Sequence, residues 1–368
     1  MKLHVFNPEH DIALASNLSN FTAPYAGRTL RSDLGFLPAL WADGADAVLV
    51  DDVTLAQERF ENLVRQTGMT AQTPRFVSKR SVSSIQFSRI EPWGWDMALR
   101  SQLLRMGIAE EIVPTVDEIN DIRNLSHRQN SVHVLKSLQQ EGTTGEAFYC
   151  QEYGKVVELS RNWGHFVLKS PWSSSGRGVR FVENELTLPL EQWIRNVLNT
   201  QGGIMVEPAY QRVMDFGMEF IVDERGKVSY QGLSLFHTSH GAYLGNLLIS
   251  EERKLQQLTP YVKPGLLEEV KDGIIEATAQ LYKGHYCGPF GVDMMVVADK
   301  EKNAFLLHPC VEINLRRTMG HVALALSSRY GAESGLMLIT TQNGHYDLNI
   351  EIDRYQEHHC GDGAEGIE

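Results

Sequence analysis

The chain has 368 residues, 42% of them hydrophobic and 22% charged, which is the composition of an ordinary globular protein. Its 46 acidic and 34 basic residues give a net charge of −12, which disfavours binding to the phosphate backbone of nucleic acids. No apolar segment approaches the ~20 residues that span a membrane, and the four scattered cysteines are typical of reduced thiols. We therefore expect a cytoplasmic protein without nucleic-acid or membrane partners.

Short apolar runs alternate with longer amphipathic ones over residues 1–115. The pattern predicts strands at 3–6, 47–50 and 85–87, and helices at 28–42, 55–66 and 96–106. Alternation of strands and helices is typical of a parallel α/β layer. The sequence therefore predicts an N-terminal parallel α/β domain over residues 1–115.

A polar cluster, Asn7-Pro8-Glu9-His10-Asp11, directly follows the first predicted strand. Ligands of open α/β sheets bind at the carboxyl ends of the strands, so this cluster is a candidate ligand site. The alternative is that Asp11 merely caps the following helix. The sequence leaves both interpretations open.

Residues 116–138 have helical periodicity, and Ser126 is a candidate N-cap for a second helix within this stretch. His127 or Arg128 then lies at the start of that helix. A positive charge at a helix start opposes the helix dipole, which indicates an anionic partner for one of these two side chains.

An apolar strand at 166–169 ends in Lys169, and a loop of small and hydroxyl residues leads to a second strand at 179–182. The loop, Ser173-Ser174-Ser175-Gly176-Arg177-Gly178, exposes backbone N–H groups, hydroxyls and one guanidinium, which suits a cover over phosphate groups. It lacks the GxxxxGK[ST] pattern of a P-loop. A glycine-rich hairpin turn is the alternative interpretation.

The segments that follow continue the alternation. A helix is predicted at 190–199, a strand at 204–210, an antiparallel hairpin at 215–223 and 228–236, a long helix at 264–283 and a last helix at 319–330. Composition predicts a disordered tail over 356–368.

Two further apolar runs, 288–297 and 306–317, are separated by a polar turn and predict a β-hairpin that carries acidic residues. Glu312 and Asn314 are two residues apart, so in a strand they point to the same face. If the hairpin pairs in register, Asp293 joins them from the neighbouring strand. Such a cluster of hard oxygen ligands suits Mg²⁺ when substrate phosphates supply the remaining ligands, and Arg316 would add a positive charge beside it. The alternative is polar edge-strand residues that face water.

The order of these parts resembles the ATP-grasp superfamily over about residues 115–330: a strand ending in lysine, a Gly/Ser loop, a strand ending in an acidic hinge, an antiparallel sheet, an Asp strand and a Glu-x-Asn strand. The resemblance implies an α/β ATP-grasp fold that follows the N-terminal α/β domain. It implies a small lobe over 116–205 with the phosphate-covering loop, and a C-terminal lobe over 206–355 with the metal site.

The resemblance also implies a role for each matching residue. It implies ATP phosphate contacts by Arg128, Lys169, Ser173, Ser174, Ser175, Gly176, Arg177 and Gly178. It implies contacts to adenine and ribose by Glu207, Pro208, Ala209, Tyr210, Asp215 and Glu219. It implies Mg²⁺ ligation by Asp293, Glu312 and Asn314, and catalytic stabilisation by Arg316, Arg317 and Lys169.

The activity that the resemblance implies is an ATP- and Mg²⁺-dependent ligase, with two metal ions for which Mn²⁺ could substitute. A carboxylate of a small molecule or peptide is activated as an acyl phosphate and attacked by an amine, releasing ADP and phosphate. A small-molecule kinase and a non-catalytic ATP-binding protein are the alternatives. The base stays open among His237, His240, Tyr243 and structural roles for these residues, and a homodimer is one option for the oligomeric state.

Overall fold

The computed structural model describes residues 1–70, 72–173, 178–183, 185–239, 242–329 and 334–352. Its α-helices are α1 His10–Ser16, α2 Tyr25–Asp33, α3 Val53–Thr67, α4 Met97–Arg105, α5 Val116–Leu125, α6 Gln129–Ser137, α7 Tyr153–Ser160, α8 Leu188–Gln201, α9 Glu251–Leu258, α10 Pro264–Tyr282 and α11 Met319–Arg329. Its strands are β1 Lys2–Val5, β2 Ala47–Val50, β3 Arg75–Ser78, β4 Arg89–Pro92, β5 Phe148–Cys150, β6 His165–Lys169, β7 Val179–Glu183, β8 Ile204–Pro208, β9 Arg212–Val222, β10 Val228–Ser239, β11 Ala242–Leu248, β12 Gly288–Asp299, β13 Ala304–Asn314, β14 Gly335–Gln342 and β15 His345–Ile352.

The N-terminal segment folds around a four-stranded parallel sheet in the order β3-β2-β1-β4. Every residue of β2 is buried, as expected for a parallel strand that is covered on both faces. Asp52 and Asp96 begin α3 and α4 by accepting hydrogen bonds from backbone N–H groups in the first helical turn. The predicted parallel α/β layer is thus confirmed.

A second sheet of four strands is antiparallel and has the order β5-β8-β6-β7. In its centre Val167 of β6 pairs with Glu207 of β8, and Lys169 pairs with Met205. The sheet therefore brings the lysine at the end of β6 next to the acid near the end of β8.

The largest sheet has seven strands in the order β13-β12-β9-β10-β11-β14-β15. One face is apolar, because Phe216, Met218 and Phe220 of β9 and Val292 and Met294 of β12 pack in one buried cluster with α5, α6 and α10. Strand residues alternate between faces, so the opposite face of β9, β12 and β13 carries the acidic and amide side chains. This alternation positions the candidate site.

Several sequence expectations about local structure are wrong. The helix predicted at 28–42 ends at Asp33 and is followed by a short 3₁₀ helix, Leu37–Leu40. Residues 85–87 are not a strand; the third and fourth strands of the parallel sheet are β3 and β4. Ser126 does not cap α6: it ends α5, and its hydroxyl donates to the Ile122 carbonyl at 2.7 Å.

Strands β11, β14 and β15 extend the large sheet and were not predicted, whereas the hairpins β9–β10 and β12–β13 and the helices α10 and α11 are confirmed. Across the described ranges, no helix is both long and apolar enough to span a bilayer. The tail at 356–368 lies outside the described residues, and the predicted domain limits stay predictions.

Candidate nucleotide and metal site

The β12–β13 hairpin pairs in the register that the sequence predicts. Asp293 lies opposite Glu312, and Gly291 lies opposite Asn314, so the three polar side chains share one face of the sheet. The Asn314 side-chain amide donates to Oδ2 of Asp293 at 3.0 Å. The hairpin therefore assembles the predicted oxygen cluster on the polar face of the large sheet.

Electrostatics at this cluster favour a bound cation. Burial, followed by the charges of Glu312 and Glu219, raises the pKa of Asp293 to about 7. A cation beside these carboxylates would offset both their burial and their mutual repulsion. The donor set therefore fits a hard divalent ion. In the described part of the chain, no three His, Cys, Asp or Glu side chains converge on one ion position. Two carboxylates and one amide therefore leave ligand positions for oxygens from outside the protein.

Arg316 lies beside this cluster and connects it to the N-terminal segment. Its Nη2 donates to Oδ1 of Asn314 at 2.9 Å, and its Nε donates to the two carboxylate oxygens of Asp11 at 3.0 and 2.9 Å. Burial would lower the pKa of Arg316, but the charge and hydrogen bonds of Asp11, together with the charges of Glu312 and Asp293, outweigh this effect and raise it. Asp11 thus holds the guanidinium in one orientation next to the predicted metal ligands.

Arg128, which precedes α6, is buried and connects the loop after β6 to the metal-site strand. Its Nη1 donates to the Ser170 carbonyl and to Oγ of Ser173 at 2.6 Å, and its Nη2 donates to Glu312 at 2.6 Å. The anionic partner that the sequence predicts for this position is therefore present within the chain itself. The guanidinium contacts both the start of the Ser/Gly loop and a predicted metal ligand.

Lys169 forms a buried ion pair with the first hinge residue. Its Nζ lies 2.6 Å from Oε2 of Glu207, and each side chain is only 9% exposed. A lysine and a glutamate at such burial require each other, because either charge alone would be desolvated without compensation. The pair joins two of the residues for which the resemblance implies ATP contacts.

The other hinge residues lie around the end of β8. The Ala209 N–H donates to the His165 carbonyl at 3.1 Å, and the Tyr210 hydroxyl accepts from the Glu146 N–H at 2.8 Å. Burial raises the pKa of Tyr210 to about 12, so the phenol stays neutral. Pro208 ends the strand opposite Phe166.

Part of the phosphate-covering loop is described. The Ser170 N–H donates to the Gly178 carbonyl at 2.8 Å, which closes the base of the loop. A Cβ on Gly178 would lie 2.4 Å from the side chain of Ser173, so only glycine fits there. The predicted residues Ser174, Ser175, Gly176 and Arg177 lie outside the described residues.

Asp215 and Glu219 have partners other than the hinge among the described residues. Asp215 accepts from Arg212 at 2.8 Å, while Oε2 of Glu219 lies 3.0 Å from Nδ1 of His321 and both of these side chains are buried. A Cβ on Gly320 would come within 1.9 Å of Glu219, so the start of α11 lies directly on this carboxylate. The contribution of Glu219 to the pKa of Asp293 places it near the metal cluster, and its ribose role stays a prediction.

Arg317 points away from the cluster. Its guanidinium stacks over the ring of Trp41, with Cζ 4.4 Å from the ring centroid, and no contact joins it to Asp293 or Glu312 in the described structure. The predicted catalytic role of Arg317 therefore has no geometric support, in contrast to that of Arg316.

Comparison with known proteins identifies the fold of the chain. No protein-family model matches the sequence, and no curated protein matches it. Among solved structures, N5-carboxyaminoimidazole ribonucleotide synthetase from Thermus thermophilus is 13% identical, with a TM-score of 0.50 over 92% of this chain and 83% of that one. Rhizobium etli pyruvate carboxylase T882A is 12% identical, with a TM-score of 0.54 over 92% of this chain and 31% of that one. The chain has an ATP-grasp fold.

Within this ATP-grasp fold, the structure adds residues that the sequence analysis did not assign. Asp11 contacts Arg316 and does not cap the helix start, so the capping interpretation is wrong, and the ligand-site interpretation stays a prediction. His308 was not predicted at all. It is 1% exposed, both ring nitrogens lack a hydrogen-bond partner among the described residues, and its ring packs against that of Tyr210 at a centroid distance of 5.5 Å. A histidine inside an apolar strand gives no signal in one sequence, because a structural role is equally compatible with it.

Proposed function

We propose that this chain is an ATP- and Mg²⁺-dependent ligase that activates a carboxylate of a small molecule or peptide as an acyl phosphate for attack by an amine. The observation that carries the proposal is the cluster of Asp293, Glu312 and Asn314, with Arg128 and Arg316 in direct contact with it. Carboxylates that coordinate metal ions, together with fixed guanidinium groups, are the elements that phosphoryl transfer requires.

Nucleotide binding is assigned to the side chains around the second sheet. Lys169 ends β6, and Arg128 contacts Ser170 and Ser173 directly after it, so both supply positive charge near the start of the loop. The hinge at 207–210 lies at the end of the neighbouring strand. Phosphates that enter would compete with Glu207 and Glu312 for these two cations. Binding of ATP thus exchanges internal ion pairs for contacts with phosphate, and this exchange frees Glu312 to coordinate metal.

The residues that would hold Mg²⁺ are Asp293, Glu312 and Asn314. When bound, Mg²⁺ would neutralise part of the negative charge of the phosphate groups. Asn314 needs to turn its amide oxygen towards the ion, and its present partner Arg316 stays available for the reacting carboxylate. Two ions, and substitution by Mn²⁺, remain part of the proposal.

The reaction consists of two displacements. A carboxylate oxygen of the substrate attacks the γ-phosphorus, the bond to the β–γ bridging oxygen breaks, and ADP leaves. The amine nitrogen then attacks the acyl carbon, inorganic phosphate leaves with its bonding electrons, and the amine loses a proton to solvent or to a base. The guanidinium of Arg316, held by Asp11, is positioned to bind the reacting carboxylate.

The fold supports this choice of reaction class. The Thermus thermophilus protein with the same fold is named as a synthetase whose product carries a carboxyamino group, which is a nitrogen joined to a carboxyl carbon. A ligase that joins an amine to an activated carboxyl group belongs to the same class of chemistry.

The test is ADP release from Mg·ATP across a panel of amino acids, short peptides and other carboxylates, with hydroxylamine as a general acceptor. We expect ADP together with a hydroxamate of one acid, because hydroxylamine traps an acyl phosphate. A stable phosphorylated compound without hydroxamate would instead identify a kinase. The variant Glu312→Gln lacks a proposed metal ligand and should abolish the formation of both ADP and the hydroxamate.

A further inference from the structure

A cavity adjoins the edge of the parallel sheet. It has a volume of about 510 Å³ and lies between the edge strand β4 and the ends of β9 and β12. Pockets of roughly 300–1,000 Å³ are typical of small-molecule sites. None of the residues assigned to ATP or Mg²⁺ contacts lines it, apart from Arg317, whose catalytic role has no geometric support.

Arg317 is one of the charged residues that line this cavity. Its guanidinium stacks on Trp41, and its Nε is buried without a hydrogen-bond partner among the described residues. Burial lowers the pKa of Arg317 to about 10, and the charge of Glu91 offsets this effect only in part. A bound anion would compensate the remainder of the buried charge.

The acids near Arg317 are already engaged. Glu91 pairs with Lys2 at 2.9 Å, Glu224 pairs with Arg89, and Asp223 accepts from two backbone N–H groups at 2.9 and 2.8 Å. Glu91 and Glu224 are therefore each paired with a cation, and Asp223 with backbone donors. Four cationic side chains (Lys2, Arg89, Arg225 and Arg317) and three acidic ones line the cavity, so its wall carries one positive charge in excess.

The rest of the wall is suited to an apolar group. Trp95, Ile90 and Pro289 line the cavity, and the Tyr286 hydroxyl beside them is satisfied by the Pro289 carbonyl at 2.6 Å. Apolar walls beside an excess of positive charge favour an organic anion over a simple inorganic ion.

We propose that this cavity binds a small organic anion, a carboxylate or a phosphate monoester, with its anionic group on the Arg317 guanidinium and its apolar body against Trp95 and Pro289. Arg316 and Arg317 are adjacent in the chain but have different contacts: Arg316 contacts Asp11 and Asn314, and Arg317 contacts Trp41. The proposal does not rest on the ligase function, because it uses neither ATP nor turnover.

The test is calorimetric titration of the full chain with benzoate, phenyl phosphate and the neutral control phenol. We expect one of the two anions to bind at least tenfold more tightly than phenol, and R317Q to weaken that binding at least tenfold. A comparison of benzoate with phenyl phosphate shows whether the cavity prefers a carboxylate or a phosphate monoester. R65Q makes the same change at an exposed arginine outside the cavity and should bind the same anion with unchanged affinity.

Three results would each overturn the proposal: no binding of either anion below 10 mM (a limit of about 2.7 kcal/mol), equal binding of phenol, or equal binding by R317Q.

A second measurement needs no arginine variant. Cys287 lines the cavity, whereas Cys150 and Cys310 are buried, so with Cys360→Ser the maleimide reaction reports on Cys287. The anion that binds should slow this reaction at least fivefold, and equal protection by phenol would contradict the assignment.

Discussion

Asp11 and Arg316 are 305 residues apart in the chain and form a largely buried ion pair, with Nη2 of Arg316 2.8 Å from Oδ2 of Asp11. Burial would raise the pKa of Asp11, but the charge and hydrogen bonds of Arg316, together with the charges of His10 and Arg128, outweigh this effect and lower it. Because Arg316 also contacts Asn314, the N-terminal segment helps to orient the metal-site strand. The polar cluster after β1 is thus part of the candidate active site.

This relationship predicts the effect of Asp11→Asn. Loss of the carboxylate should leave Arg316 free to rotate and should lower kcat by roughly 10- to 100-fold, with a smaller change in the KM for ATP. Steady-state ADP release measures both parameters. Asp272→Asn, an exposed aspartate on α10, is the matched control and should leave both unchanged. An Asp11→Asn enzyme with the parent kcat would remove Asp11 from the site.

Glu312→Gln tests the metal assignment. The amide cannot supply the charge that balances a divalent ion, so we expect at least about a 100-fold loss of activity and a higher Mg²⁺ concentration at half-maximal rate. The measurement is ADP release over a Mg²⁺ titration. Glu276→Gln on α10 is the control for the same chemical change, and an unaltered Mg²⁺ dependence in Glu312→Gln would refute the assignment.

Variants of the Lys169–Glu207 ion pair distinguish its contribution to stability from its contribution to nucleotide binding. Lys169→Met leaves Glu207 buried without a partner, which should cost about 3–5 kcal/mol of unfolding free energy and weaken ATP binding at least about tenfold. The double variant Lys169→Met/Glu207→Gln should recover most of the stability but not the affinity for ATP. Denaturant unfolding and calorimetry measure the two quantities. Parent-like ATP affinity in either variant would argue against a phosphate contact by Lys169.

The burial of the His308 ring should make the stability of the protein depend on pH. Burial, and next the charge of Lys169, lowers the pKa of His308 to about 3, so the folded protein keeps this ring neutral while the unfolded chain takes up a proton below its ordinary pKa of about 6.5. The free energy of unfolding should therefore fall as pH decreases from about 6.5 towards 3, by at most about 1.4 kcal/mol per pH unit from this residue. His308→Gln should reduce that slope in denaturant unfolding, and an identical slope in both proteins would contradict the prediction.

Local patterns in the sequence were sufficient to predict the hairpin that carries Asp293 and Glu312. A strand has a period of two, so spacing alone places Glu312 and Asn314 on one face. The turn alone would not place Asp293 opposite Glu312, because the register of the hairpin shifts between Asp293 and Met295. The order of the motifs was equally visible, and it predicted the ATP-grasp fold before any coordinates.

The strands β11, β14 and β15 were missed because their burial depends on distant partners rather than on their own composition. Ser126 was misassigned for a related reason. A serine satisfies the end of one helix as readily as the start of the next, and the position of Arg128 against Glu312 determines which of these occurs.

The sequence by itself determined which residues carry charge in this protein, the strand or helix on which most of them lie, and the fold that their order implies. Only the tertiary structure decided their partners: Asp11 with Arg316, Lys169 with Glu207, and Arg128 with Glu312. It also decided that Arg316 and Arg317 face different sites. The physical reason is that periodicity is local, whereas a buried charge is stabilised by whichever opposite charge the folded chain brings within hydrogen-bond distance.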